Sequence, residues 1–185
     1  MYSSRGMMAK FQRRDGKITW QVDFMDTSST TTLDSVTSYA QATGLSHIVA
    51  CGDKTNGGAG KMPAFFRMEN TGQIKYFYNL KPATADQPES ALCRGIHMEQ
   101  SNSQVTILMQ TNSDSYKGSL NSNANIEDMV LFIISDAGTL LRGKHISLTR
   151  STETHDAILT GTNLLRKRGE FYIWSGQSYG YLTDY

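Results

Sequence analysis

Apolar residues along the chain come in short blocks, each closed by glycine or by a polar cluster. Ala64–Phe66, Val105–Met109, Val130–Ile134 and Phe171–Trp174 are the clearest. Blocks of this length, bounded by turn signals and rich in β-branched and aromatic residues, predict strands. No segment holds a helical stripe over about 11 residues. Consecutive apolar positions, as in Val130–Ile134, predict strands covered on both faces.

Three segments resemble one another: Met8–Val22, Ala64–Tyr78 and Val130–Lys144. They align on Gly16, Gly72 and Gly138. Two residues on stand Ile18, Ile74 and Leu140; two further on stand Trp20, Tyr76 and, in the third copy, Arg142. The unit predicts strand, tight turn, strand. The glycine supplies positive φ, and the polar residue before it accepts a local hydrogen bond. A second repeated segment follows each: His47–Gly52, Val105–Gln110 and Phe171–Gly176. Before each lies another short strand candidate, at Val36–Ala42, Leu92–Met98 and Ala157–Thr162. The second interval is longer because of the loop Asn112–Asn125, an insertion that costs little on a surface.

Four short strands per period of roughly 40–50 residues match propeller blades, which bury both faces by stacking on their neighbours. The pattern resembles the bacterial-type β-propeller repeats of the seven-residue-core kind and, more weakly, quinoprotein-like propellers. The residues that carry the likeness are Phe11, Asp15, Gly16, Ile18 and Trp20, then Phe65, Phe66, Gly72, Ile74 and Tyr76, then Leu131, Gly138 and Leu140. The resemblance implies an all-β fold of β-propeller-like four-stranded blades running from an inner strand outward. On that reading 1–185 is one repeat domain. Residues 7–24 are the outer strands of a split blade, 36–80 and 92–148 are whole blades, and 157–180 are the inner strands of a split blade. Three blades' worth of strands is too few to close a ring. The expectation is completion by copies of the chain, or by the rest of a longer polypeptide.

Composition changes the picture only by exclusion. Lys and Arg number 18 against 17 Asp and Glu, a formal charge of +1. That balance argues against general nucleic-acid binding, which needs a basic field. The longest apolar run, Met129–Ile134, is too short to cross a bilayer, so no membrane insertion is expected. Met1–Lys10 lacks the apolar stretch of a secretory leader, and the compartment stays open, extracellular assembly included. No Asn-x-Ser/Thr sequon occurs. The run Thr27–Thr32 reads as a solvated loop. Cys51 and Cys93 lie in apolar strand-like stretches and read as two buried thiols, with a single bridge as the alternative.

Candidate chemistry is sparse. His47, His97, His145 and His155 form no ligand-spaced pair. The glycine-rich stretch Asn56–Lys61 misses the phosphate-loop pattern, since Met62 stands where Ser or Thr is needed, and reads as an interstrand loop. Asp114 and Asp128 flank the long loop without a calcium pattern. Arg166, Lys167 and Arg168 read as an exposed hairpin tip, with docking of an acidic partner as the functional alternative. Tyr172, Trp174, Tyr179, Tyr181 and Tyr185 read as core or interface, with sugar stacking as the alternative. No catalytic residue, metal ligand or cofactor is expected. The expected function is that of a non-enzymatic structural module, associating with its own copies into a ring or filament through Met8, Phe11, Phe171, Ile173 and Trp174. The alternative is a carbohydrate-binding propeller lectin. Phe65, Leu131, Ile133, Ile107, Val49 and Ile173 are the expected core.

Overall fold

The computed structural model describes residues 6–24, 33–42, 44–56, 59–80, 91–99, 103–111, 128–135, 137–146, 158–168 and 171–179. They form strands and no helix: β1 (Met7–Phe11), β2 (Ile18–Asp23), β3 (Ser35–Ala40), β4 (His47–Asn56), β5 (Ala59–Glu69), β6 (Ile74–Asn79), β7 (Ala91–Met98), β8 (Gln104–Thr111), β9 (Asp128–Ser135), β10 (Leu140–Ile146), β11 (Ile158–Arg168) and β12 (Phe171–Tyr179). All pair antiparallel in sequence order. Two sheets have four strands, β3–β6 and β7–β10; two have two strands, β1–β2 and β11–β12. The all-β reading therefore holds, and the sheets do not close into a ring or barrel.

The three hairpins β1–β2, β5–β6 and β9–β10 share one turn design. In the second, Glu69 N–H donates to Gln73 O (2.8 Å) and Gly72 N–H to Glu69 O (2.9 Å). Ser135, Gly138 and Thr139 repeat this at 2.9 Å each. The first turn is one residue longer, closed by Gln12 N–H on Lys17 O (2.8 Å). Gly16, Gly72 and Gly138 have φ of +69°, +90° and +90°. A one-residue bulge follows each turn, at Thr19, Lys75 and Leu141. A positive-φ glycine followed by a bulge gives a hairpin its strong local twist.

The first strand of each later sheet also carries an irregularity in its pairing. It falls at Thr37 in β3, at Arg94 in β7 and between Gly161 and Leu165 in β11. Opposite the first lies Gly52, where a Cβ would collide with the Ser35 carbonyl. One alignment needs correcting. His47 pairs with Glu69, whereas Gln104, not Val105, pairs with the equivalent Ser135. The apolar block in β8 is continuous, so hydrophobicity alone does not say which residues share a face, and a one-residue slip goes unseen.

The sheets stack in chain order. Ile48, Ala50, Phe66 and Met68 on one face of β3–β6 pack with Met8, Trp20 and Val22 of β1–β2. The other face sends Val49, Cys51 and Phe65 against Cys93, Ile96, Val105, Ile107 and Met109 of β7–β10. On the far side of β7–β10, Leu108 and Met129 form a smaller cluster with Leu131 and Ile146. β11 lies against β7 and approaches β8 and β9, and β3 borders β7. Both faces of the central sheets are covered, which is why β4, β5 and β8 are apolar at successive positions.

Three of the expected core residues differ from the expectation. Phe65, Ile107 and Val49 are fully buried, but Leu131 and Ile133 are half-buried and Ile173 is 52% exposed. The physical reason is the two-stranded layer: β11–β12 has half as many strands as the sheet it covers, and Ile173 has no covering sheet among the described residues. The side chain of Met8, a residue expected at a self-assembly surface, is half-buried against the cluster of Ile48, Ala50, Phe66 and Met68 in the same chain. Phe11 does stand in solvent at 59% exposure. The side chains of Phe171 and Trp174 lie outside the described residues.

Candidate functional site

A polar constellation sits where β3, β4 and β7 meet. Asp53, near the end of β4, is buried at 5% exposure. Its Oδ1 accepts the backbone N–H of Cys93 across the sheet-to-sheet boundary at 2.7 Å. Its Oδ2 accepts from Thr37 Oγ1 (3.2 Å) and Ser35 Oγ (3.4 Å) of β3. Burial raises the Asp53 pKa above the usual carboxylate range. The Cys93 and Thr37 hydrogen bonds and the charges of Lys61 and Arg94 pull the other way and do not offset it. Arg94 Nε in turn donates to Gln110 Oε1 at 2.8 Å. Next to it Asp34 holds the end of β4, accepting from Thr55 N–H (2.6 Å) and from the Thr55 hydroxyl.

The two cysteines correct the reading as separate thiols. Cys51 and Cys93 form a disulfide between β4 and β7, with Cα atoms 6.1 Å apart. Each was legible as a strand residue; what the sequence lacks is that their two sheets pack on the very faces that carry them. The bridge and the Asp53–Cys93 hydrogen bond clamp the same point. This cluster joins two sheets: the thiols are bonded to each other, and the carboxylate accepts from a backbone donor and two hydroxyls.

Other candidates disperse. His47 is on β4 and His97 on β7, and no three His, Cys, Asp or Glu among the described residues gather as metal ligands. The Asn56–Lys61 stretch is the end of the β4–β5 hairpin, where Thr55 pairs with Lys61 and Asn56 with Ala59. Arg166–Arg168 are the last residues of β11, at the β11–β12 hairpin end, and pair with Ile173, Tyr172 and Phe171. Asp114, Tyr181, Tyr185, His155 and the side chains of Tyr172, Tyr179 and His145 lie outside the described residues. Among the described residues, no helix is long and apolar enough to cross a membrane.

What remains is backbone rather than side chain. β1 pairs only with β2, and β12 only with β11. Among the described residues each has an edge without a partner strand, and exposed Met7 (56%), Phe11 (59%) and Ile18 (50%) lie on β1–β2. Sequence reasoning missed a further device at these joints. A Cβ added at Gly72 would meet the Trp20 ring at 3.1 Å, and one at Gly138 would meet the Tyr78 ring at 2.5 Å. Trp20 Nε1 also donates to Asn70 O at 2.8 Å, and Lys10 Nζ donates to Asn70 Oδ1. Gly72 and Gly138 are thus each a seat for an aromatic of the preceding unit. Gly16 has nothing within 4 Å. The signal was the small residue itself, but its partner is set by stacking. No family model matches the chain, and no curated protein matches it in sequence.

Proposed function

We propose that this chain is a non-enzymatic structural module of β-propeller type. In it, β11–β12 of one copy and β1–β2 of the next combine into a four-stranded sheet. One observation carries the reading: among the described residues two four-stranded sheets are flanked by two half-sheets, and the edges of these half-sheets include β12 and β1, the two strands that would be neighbours. Within the whole sheets the second strand pairs with the third, as β4 with β5 and β8 with β9. By that equivalence β12 is a second strand and β1 a third. Open edges of this kind favour pairing with another chain.

The faces fix the register. Met8, Trp20 and Val22 face β3–β6 in their own copy. Ile173 is exposed, so it faces away from β7–β10. In the completed sheet Ile173 must therefore share a face with Met8 and Lys10. Aligning Gln12 with Glu69 and Phe171 with His47 places Ile173 opposite Lys10 and Ser175 opposite Met8. The contact is head-to-tail, so it generates a ring if the rotation closes and a filament if it does not. The Cys51–Cys93 bridge suits an oxidising compartment.

The test is a cross-link. Lys10→Cys with Ile173→Cys in one chain should give disulfide-linked multimers under mild oxidation. Moving the second cysteine to Gln177 should not. Linked species within one chain only, or none from either pair, would contradict the joint.

A further inference from the structure

We infer that the joint between copies is a binding site for a polyanion, a sulfated or phosphorylated polymer or oligomer, and that the polyanion drives assembly. The inference rests on the split-sheet reading above. In the completed sheet the β11–β12 hairpin end lies beside the β1–β2 turn, because the equivalent segments of β3–β6 touch: Asn70 N–H donates to Ser46 O at 3.0 Å. The joint therefore brings the Arg166–Arg168 end of β11 next to Arg13, Arg14 and Lys17, with only Asp15 and Glu170 in the same two segments. The corresponding ends elsewhere differ. In β3–β6 the hairpin end 41–46 is uncharged and the turn begins at Glu69; in β7–β10 the hairpin end begins at Glu99.

The cap on the turn glycine changes in the same direction. Trp20 covers Gly72 and Tyr78 covers Gly138. These residues stand four and six positions after the preceding turn glycine. On β10 those two positions hold Arg142 and Lys144, both exposed. The seat they would cover is Gly16, open within the chain and preceded by Arg13 and Arg14. An aromatic-on-glycine contact is thus replaced, at the one joint made between copies, by cations facing cations. Like charges at such separations repel at low ionic strength and are screened beyond about 8 Å at physiological salt. A multivalent anion bridging them turns the repulsion into attraction, with arginine supplying paired donors to sulfate or phosphate.

The probes are inorganic tripolyphosphate and a short heparin oligosaccharide, and the readout is sedimentation of the full chain at low salt. The wild type should shift from single chains to multimers on adding either probe. The triple reversal Arg166→Glu, Lys167→Glu, Arg168→Glu should form multimers without anion, since its carboxylates meet Arg13 and Arg14, and should ignore both probes. Ser175→Pro, which keeps every cation but spoils the β12 edge, should stay single with or without anion. A wild type that forms multimers equally well without anion, or a reversed variant that still needs it, overturns the polyanion site and leaves the split sheet standing. Single chains for the wild type and the reversed variant in every condition contradict the split sheet itself. A shift by heparin but not tripolyphosphate assigns the site to a polymer; a shift by both assigns it to clustered anionic groups of any source.

Discussion

At the scale of single residues, the two most informative positions are Asp53 and Gly138. Asp53 spends its oxygens on the Cys93 amide and the Thr37 hydroxyl, and burial raises its pKa. A carboxyl whose folded pKa exceeds its unfolded one binds protons more tightly when folded. Stability from this group is therefore fully present below the unfolded value and falls as pH rises through the folded value. Asp53→Asn keeps an acceptor for Cys93 N–H and removes the charge. Its stability at neutral pH should equal or exceed wild type, and its stability should vary less between mildly acidic and neutral pH. Asp53→Ala leaves the buried amide unpaired and should cost about 1–3 kcal/mol. Urea unfolding across pH checks both. Gly138→Ala meets positive φ and the Tyr78 ring together, whereas Gly16→Ala meets positive φ alone. The left-handed backbone costs an alanine about 1–2 kcal/mol, so Gly16→Ala should lose about that much and Gly138→Ala distinctly more. Equal losses would mean that the Tyr78 cover has no energetic weight.

At the scale of elements, the sheet pair β3–β6 and β7–β10 is the stable centre. Phe65 and Ile107 fill the space between them, and the Cys51–Cys93 bridge ties β4 to β7. A bridge closing a loop of this length stabilises by about 2–4 kcal/mol, largely by restricting the unfolded chain. Cys51→Ala with Cys93→Ala should lower stability by about that amount, and Phe65→Ala by about 3–5 kcal/mol. Calorimetry of the two variants measures both losses. A double alanine variant as stable as wild type would mean that the remaining packing alone holds the sheets. Much of this level was legible in the chain. The hairpins announce themselves because glycine alone reaches positive φ cheaply, and because apolar blocks of strand length leave no room for helices. The bridge was not legible, because two cysteines in two strands say nothing of which faces meet. The β8 register slipped by one residue for the same reason: with Leu108 and Ile107 both buried, alternation gives no phase. The run of charge placed Arg166–Arg168 at a hairpin end, and they close β11 where it pairs with the start of β12.

At the scale of the whole molecule, the chain is a stack of four layers whose outermost two are half as wide as the inner two. The half-width layers leave Met7, Phe11, Ile18 and Ile173 in solvent, and among the described residues the outer edges of β1 and β12 have no partner strand. Apolar surface and open edges at both ends of one stack are explained together if each end covers the other in a neighbouring copy. The candidate site was legible in outline, since the order of repeated segments alone puts a third-strand hairpin first and a second-strand hairpin last. Its electrostatics were not, because Arg13 and Arg168 are far apart along the chain and come together only in the register of the proposed sheet between copies. The most direct measurement is the solution mass of the intact chain at micromolar concentration, taken by light scattering in physiological salt with and without tripolyphosphate. The account predicts whole-number multiples of the 20.6 kDa chain, more abundant with the anion. A well-folded 20.6 kDa species in both conditions, its edges unpaired, would contradict it.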